Sequence, residues 1–178
     1  MALTLVGAST IVDIDEQSNS ARTCKTVWPF VRRSVLRMHD WNAATARAAL
    51  APSVTAPLWE YPTAYPLPAD CLHVMEVDTS YDWRVEGKEL LTHGSGSVNI
   101  RYMRDETDVS KYDSTLTMTF AYKMAVEICE RITGNARKRE QLYSLIREVL
   151  NSAMLDDGEE QSTTAFEEDS WITSRYVY

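Results

Sequence analysis

The stretch Asp113-Ser-Thr-Leu-Thr-Met-Thr-Phe-Ala-Tyr-Lys-Met-Ala-Val-Glu-Ile-Cys-Glu-Arg-Ile-Thr-Gly134 decides the fold class. Leu116, Phe120, Met124, Ile128 and Ile132 recur every four residues, with Ala121, Ala125 and Cys129 beside them. That spacing puts one apolar stripe on one face of an α-helix. Asp113 is placed to cap its start, and Gly134 suits the left-handed position that ends it. Asn135 can cap a second helix, whose buried face carries Leu142, Leu145 or Ile146, Val149, Ala153 and Met154. It is expected to end near Asp156–Gly158. Two helices of about 20 residues joined by so short a turn pack as an antiparallel hairpin. The pair, at about 113–133 and 136–156, is expected to have Leu116, Phe120, Met124, Ile128, Leu142, Ile146 and Val149 in the core.

Toward the N-terminus, Ser20 to Met38 has the same period: Ala21, Cys24, Val27, Trp28, Val31, Val35 and Met38 form one face. Ser18, Asn19 or Ser20 can cap it. Pro29 lies inside the pattern and removes one helical hydrogen bond, which predicts a kink or break near Lys25–Trp28. A shorter helix is expected around Leu3 to Ile14, and the hairpin is expected to pack on the helix at 20–38.

Between the helical parts the character changes. Pro52, Pro57, Pro62, Pro66 and Pro68 interleave with Trp59, Tyr61 and Tyr65. Proline has no N–H to donate, so this stretch fits edge strand or extended chain but not helix or central strand. It reads first as a long ordered loop packed on the domain, with an aromatic contact surface as the alternative. Leu72–Val77, Tyr81–Glu86, Lys88–Thr92 and Val98–Tyr102 alternate as short strands, with tight turns at Glu86–Gly87 and His93–Gly96. The fold class is therefore α+β: a bundle of three or four helices with a small antiparallel sheet or open barrel inserted. One domain spans 1–157, helical over about 3–40 and 113–157 and β-rich over about 41–104.

The chain has 178 residues and a net charge of −8 from 18 basic and 26 acidic residues. Residues 156–178 hold seven acids and one base, so −6 of the −8 lies there. Residues 158–170, polar, acidic and without a helical or strand period, are expected to form an extended arm. The last eight residues return to large apolar groups, and Trp171, Ile172, Arg175, Tyr176 and Tyr178 are the candidate partner-binding residues. An acidic chain does not fit generic DNA binding, which needs a basic excess. No apolar run approaches the ~20 residues of a membrane span, and acidic Asp13, Asp15 and Glu16 closing the apolar N-terminus speak against a signal peptide.

Motifs for chemistry are sparse. Cys24, Cys71 and Cys129 are odd in number and far apart, which argues for packing rather than disulfides or zinc. His39, His73 and His93 form no metal-ligand pair on a helix; His39 reads as a cation near a helix C-terminus. His73 two residues from Cys71 is a weak thiol–imidazole pair. His93-Gly94-Ser95-Gly96 lacks the lysine and spacing of a phosphate loop. Asp105, Glu106 and Asp108, and likewise Asp156, Asp157, Glu159 and Glu160, lack calcium-loop spacing and read as solvated surface. No catalytic residue, cofactor or metal is expected.

The order of motifs carries more. Leu36-Arg37-Met38 leads to Trp41-Asn42-Ala43-Ala44; Leu67-Pro68-Ala69-Asp70-Cys71-Leu72 leads to Val74 and Val77; Val85-Glu86-Gly87 precedes Leu90-Leu91-Thr92. Ile100-Arg101-Tyr102 precedes Asp108 and Tyr112-Asp113, the helical pair follows, and Asp169-Ser170-Trp171-Ile172 stands near the end. Over nearly its whole length this resembles the tail tubular protein A family of short-tailed bacteriophages, the head-to-tail adaptors of the virion. Met118–Phe120 and Tyr122 depart from the smaller residues expected at the start of the pair. The resemblance implies a ring of twelve copies between portal and tail nozzle, lining part of the DNA channel without binding DNA specifically. Synthesis in the host cytoplasm and, in some members, attachment of fibres or tailspikes are also implied. The alternative is an acidic regulatory module that occupies a basic partner; a small hydrolase or transferase comes third.

Overall fold

The computed structural model describes the backbone of residues 1–160 and the side chains of residues 1–151. The arm expected over 158–178 falls outside the described residues from 161 onward, and so do all five candidate partner-binding residues.

Helix α1 spans Ala2–Val6 and stops at Gly7, whose φ of 76° is left-handed, so it is much shorter than the expected 3–14. Helix α2 spans Asn19–Leu36, capped by the Ser18 hydroxyl, which accepts from the Ala21 N–H at 3.1 Å. Pro29 does not break it. Pro29 and Lys25, whose carbonyl loses its helical donor, both lie on the exposed face, so water can take the freed carbonyl.

Trp41 follows, 1% exposed, and its indole N–H donates to the Val35 carbonyl at 3.0 Å, satisfying an end carbonyl of α2. A short 3₁₀ turn at Asn42–Ala44 leads into six strands: β1 Thr45–Leu50, β2 Thr63–Pro66, β3 Cys71–Val77, β4 Trp83–Glu86, β5 Glu89–Thr92 and β6 Val98–Arg104. They form two antiparallel three-stranded sheets, ordered β1-β6-β3 and β2-β5-β4. The proline-rich stretch supplies β2, an edge strand ending at Pro66, where the missing N–H does least harm. Gly87, with φ 58°, turns β4 into β5.

Alternation along β6 sets the layering. Leu50 of β1 and Val98, Ile100 and Tyr102 of β6 pack with Tyr65 and Leu90 of the second sheet. Met103 points the other way, into a helical core with Trp41, Val31, Val35 and Leu116. The order is helices, first sheet, second sheet.

Helix α3 spans Ser114–Thr133 and α4 spans Ala136–Glu160. Their capping is as expected: Asp113 accepts from the Leu116 N–H at 2.7 Å, Gly134 has φ 65°, and Asn135 accepts from the Lys138 N–H at 3.1 Å. Helix α3 is the hub, packing against α4, α2 and α1. Leu116, Phe120, Met124, Ile128, Leu142 and Ile146 are buried. Val149 is half-buried rather than core, and Leu145 is 38% exposed, because the buried stripe of α4 runs through Leu142 and Ile146. Helix α4 also continues past Gly158, which loses about 1 kcal/mol relative to alanine in a helix without ending it.

Candidate assembly surfaces

A buried charge cluster fixes the junction between helices and sheets. Asp105, just beyond β6, takes both nitrogens of a fork from Arg32 of α2, at 2.7 and 3.0 Å, and a third bond from Arg33 at 2.9 Å. Such bidentate pairs are directional as well as strong. Glu106 is 4% exposed. It accepts from the Arg104 guanidinium, from Lys111 Nζ at 2.9 Å and from the Asp108 N–H at 2.9 Å, while its own carbonyl takes the Tyr112 hydroxyl at 2.6 Å. Burial opposes ionisation of Glu106, but these donors outweigh it and hold its carboxyl at about 2. Asp105 is likewise held below its usual range, burial being outweighed by Arg32 and Arg33. Asp105 and Glu106 are therefore ion-paired structural groups, not the solvated surface expected of them. Only Asp108 stays in solvent, capping the 3₁₀ turn Val109–Lys111.

Among the described residues, four surfaces stand out. The first is the loop between β1 and β2. Val54, Leu58 and Trp59 stand almost wholly in solvent, at 105%, 102% and 79% exposure. Tyr61, two residues on, is buried and meets the His93 ring edge-on at 5.1 Å. The reversal is made at Glu60, which has φ 71° and is bridged by a bond from the Tyr61 N–H to the Trp59 carbonyl at 2.9 Å. This is a γ-turn in its strained, positive-φ form, rare for a residue with a side chain. The proline-rich stretch packs on the domain through Tyr61 and Tyr65, while Trp59 stands in solvent.

The second surface is an apolar groove of about 290 Å³ between α1, α2 and α3, lined by Met1, Trp28, Val109, Tyr112, Phe120 and Met124 among others. Its floor is aromatic: Phe120 lies 5.2 Å from Trp28, edge-on, and 5.0 Å from Tyr112.

The third is a shallow hollow of about 1010 Å³ on the part of the first sheet beyond the helices. Arg47 faces Arg101 across β1 and β6, and Arg101 pairs with Glu76 at 2.9 Å. Asn99 donates to Asp78 at 3.1 Å, and Arg101 Nε is buried without a partner among the described residues. The hollow is charge-balanced, two bases against two acids. The fourth is the outer face of α4, where Arg137, Arg139 and Arg147 flank exposed Tyr143 with Glu140 and Glu148 between them.

The residues weighed for chemistry are dispersed. His39 lies beyond the end of α2, its ring edge-on to Trp41 at 5.0 Å. His73 Nε2 lies 3.0 Å from Asp40, a pairing invisible in sequence because 33 residues separate them. Cys71 is buried between the sheets, and a bulge between Cys71 and His73 breaks the alternation that would have aligned them. Burial pushes the Cys71 thiol up, which favours the form that packs over the form that attacks. Among the described residues no group of three or more His, Cys, Asp or Glu is arranged to hold a metal. No described helix is long and apolar enough to cross a membrane.

Val54 and Leu58 were not singled out in the sequence. Their only signal is an apolar pair in a proline-rich loop that no strand alternation accounts for. Nothing in the sequence marked the groove. No protein-family model matches this chain, and no curated protein is significantly similar to it.

Proposed function

We propose that this chain is a structural virion protein, a head-to-tail adaptor that forms a ring between the portal and the tail nozzle of a bacteriophage and lines part of the DNA channel. The observation that carries the reading is the succession of motifs along the chain. It runs from the α2 end and Trp41, through Leu67–Leu72 and the Glu86–Gly87 turn, to the hairpin of α3 and α4. This succession falls on a helical bundle with an inserted β-module, the architecture that the tail tubular resemblance implies.

Two physical features support it. A ring subunit needs distinct surfaces for neighbours on either side, and apolar surfaces lie on separate layers of this body. An acidic surplus suits a channel through which DNA slides without sticking, since like charges offer phosphates no binding site. The partners of this reading are other copies in a ring of twelve, the portal protein, the nozzle protein and, in some virions, fibres or tailspikes. It assigns the chain no reaction and no cofactor.

Light scattering of the full chain, alone and titrated with the portal protein of the same genome, tests it. A small species alone and a large closed assembly with portal is the expected result; a chain that stays small with portal present refutes it. The charge skew toward residues 156–178 favours one second reading, an acidic module that occupies a basic partner. In that case the chain remains small and binds one basic protein in a salt-sensitive manner.

A further inference from the structure

Helix α4 carries its charges against its own dipole. The aligned peptide groups of a helix favour carboxylates at its N-terminus and cations at its C-terminus. Helix α4 has no acid in its first turn and no base in its last. Arg137, Lys138 and Arg139 open it, and Asp156, Asp157, Glu159 and Glu160 close it. We propose that the two ends are the halves of one contact: the acidic end of α4 in one copy docks on the basic end of the α3–α4 hairpin in the next. The inference rests on the reading of the chain as a ring subunit and names charged surfaces that would join its copies.

Three observations lead to it. The separation of charge is strong: residues 131–147 hold five bases and one acid, while residues 156–169 hold seven acids and no base. Since this order works against the helix, it serves something outside the helix. The bases are also left over. Arg139 pairs with Glu130 at 3.3 Å, both largely in water, but Arg131, Arg137 and Arg147 are exposed and have no ion pair among the described residues. Finally, a copy cannot satisfy itself. Helix α4 is continuous from Ala136 to Glu160. At 1.5 Å per residue, roughly 29 Å separate Arg137 from Asp156 and roughly 35 Å separate it from Glu160. Charges that far apart are screened from each other, the Debye length being about 10 Å at 0.1 M salt. A rigid helix holds them so, and a second copy is what brings opposite ends together.

A nucleic acid is the other polyanion that a basic end could take. The net charge of −8 and the four acids on the same helix oppose the approach of phosphates, so the acidic end of another copy fits better. Exposed ion pairs are individually weak. The contact therefore needs several pairs formed together, and a portal that gathers copies supplies the effective concentration that free chains lack. Because its two halves are different surfaces, the contact is head-to-tail, the kind that closes rings.

Charge reversal tests it with full-length chains. One variant carries Arg137→Glu and Arg147→Glu; the other carries Asp156→Lys, Asp157→Lys, Glu159→Lys and Glu160→Lys. New acids near the start of α4 and new bases near its end suit the dipole, so both variants are expected to keep the parent's circular dichroism spectrum. In sedimentation equilibrium at high protein concentration and about 50 mM salt, the parent forms species larger than a dimer, and about 0.5 M salt disperses them. Each variant alone associates about tenfold more weakly, and mixing the two restores the parent's association. A parent that stays monomeric at low salt would overturn the proposal. So would a variant that associates like the parent, or a mixture no better than its components. Association that stops at a dimer would mean two α4 helices paired antiparallel and would also overturn it. A parent that binds duplex DNA through Arg137 and Arg147, with self-association unchanged in their variant, would assign the basic end to nucleic acid instead. None of these results touches the portal titration, which judges the adaptor reading separately.

Discussion

Replacing Glu106 with glutamine should loosen the joint between the helices and the sheets, and the loss should depend on pH in a defined direction. The fold holds the Glu106 carboxyl at about 2 against an ordinary 4.5. A gap of about 2.5 pH units corresponds to about 3.4 kcal/mol at 1.36 per unit. Arg104 and Lys111 reach the carboxylate from the solvent side, at 32% and 47% exposure, so water screens much of that. We take about 1–2 kcal/mol as the surviving contribution. Because the folded state lowers this pKa, the stabilisation is complete above pH 4.5 and is lost as pH falls from 4.5 toward 2. Glutamine keeps an oxygen for the Asp108 N–H but offers no charge to the two cations. In urea unfolding followed by circular dichroism at pH 7, Glu106→Gln should lower stability by about 1–2 kcal/mol, or the melting temperature by roughly 2–8 °C. The gap from the parent should narrow as both are taken from pH 4.5 to pH 2. Equal unfolding midpoints at pH 7, or a difference that persists unchanged at pH 2, would refute the electrostatic account of this joint.

Ile128 and Leu142 face each other's helices from the buried stripes of α3 and α4, and alanine at either should cost about 2–5 kcal/mol in the same urea assay. A cost of a few tenths at both sites would mean the wrong face had been assigned. Pro29→Ala should restore a donor for the Lys25 carbonyl on the exposed face of α2 and raise stability by about 1–2 kcal/mol, the helical gain being partly offset by a freer unfolded chain; a lower melting temperature would contradict the continuous helix. Deleting residues 171–178 should leave the melting temperature almost unchanged while weakening assembly on the portal, since Trp and Tyr are typical interface anchors. Should the deletion unfold the chain, those residues belong to its own core.

The residue-by-residue reading and the structure converge most closely where local chemistry decides conformation. Asp113, Gly134 and Asn135 cap and terminate α3 and α4 because each acts on backbone groups within four residues of itself, and such signals survive in a linear reading. The same holds for Gly87 in its turn and for Pro66 on an edge strand. Local rules were less reliable where another layer intervenes. Helix α1 ends at Gly7 rather than Ile14 because a single left-handed residue outweighs a weak apolar run. Strand β1, Thr-Ala-Arg-Ala-Ala-Leu, carries no strand signal of its own and exists through pairing with β6.

By itself, then, the sequence determined the α+β class, the helical hairpin, its caps, most of the buried stripe and the charge skew toward the C-terminus. Each follows from side-chain period or from contacts a few residues apart. Only the tertiary structure decided which charged and aromatic groups are buried. Asp105 and Glu106 looked like solvated acids until α2 brought Arg32 and Arg33 to one of them and the chain folded Arg104 and Lys111 onto the other. His73 met Asp40, Tyr61 went inward and Trp59 outward, and a groove opened where three helices converge. The contacts of Asp105 and His73 and the lining of the groove join residues tens of positions apart. No period or propensity encodes them, because they depend on how the layers stack, and that stacking is set by the whole core at once.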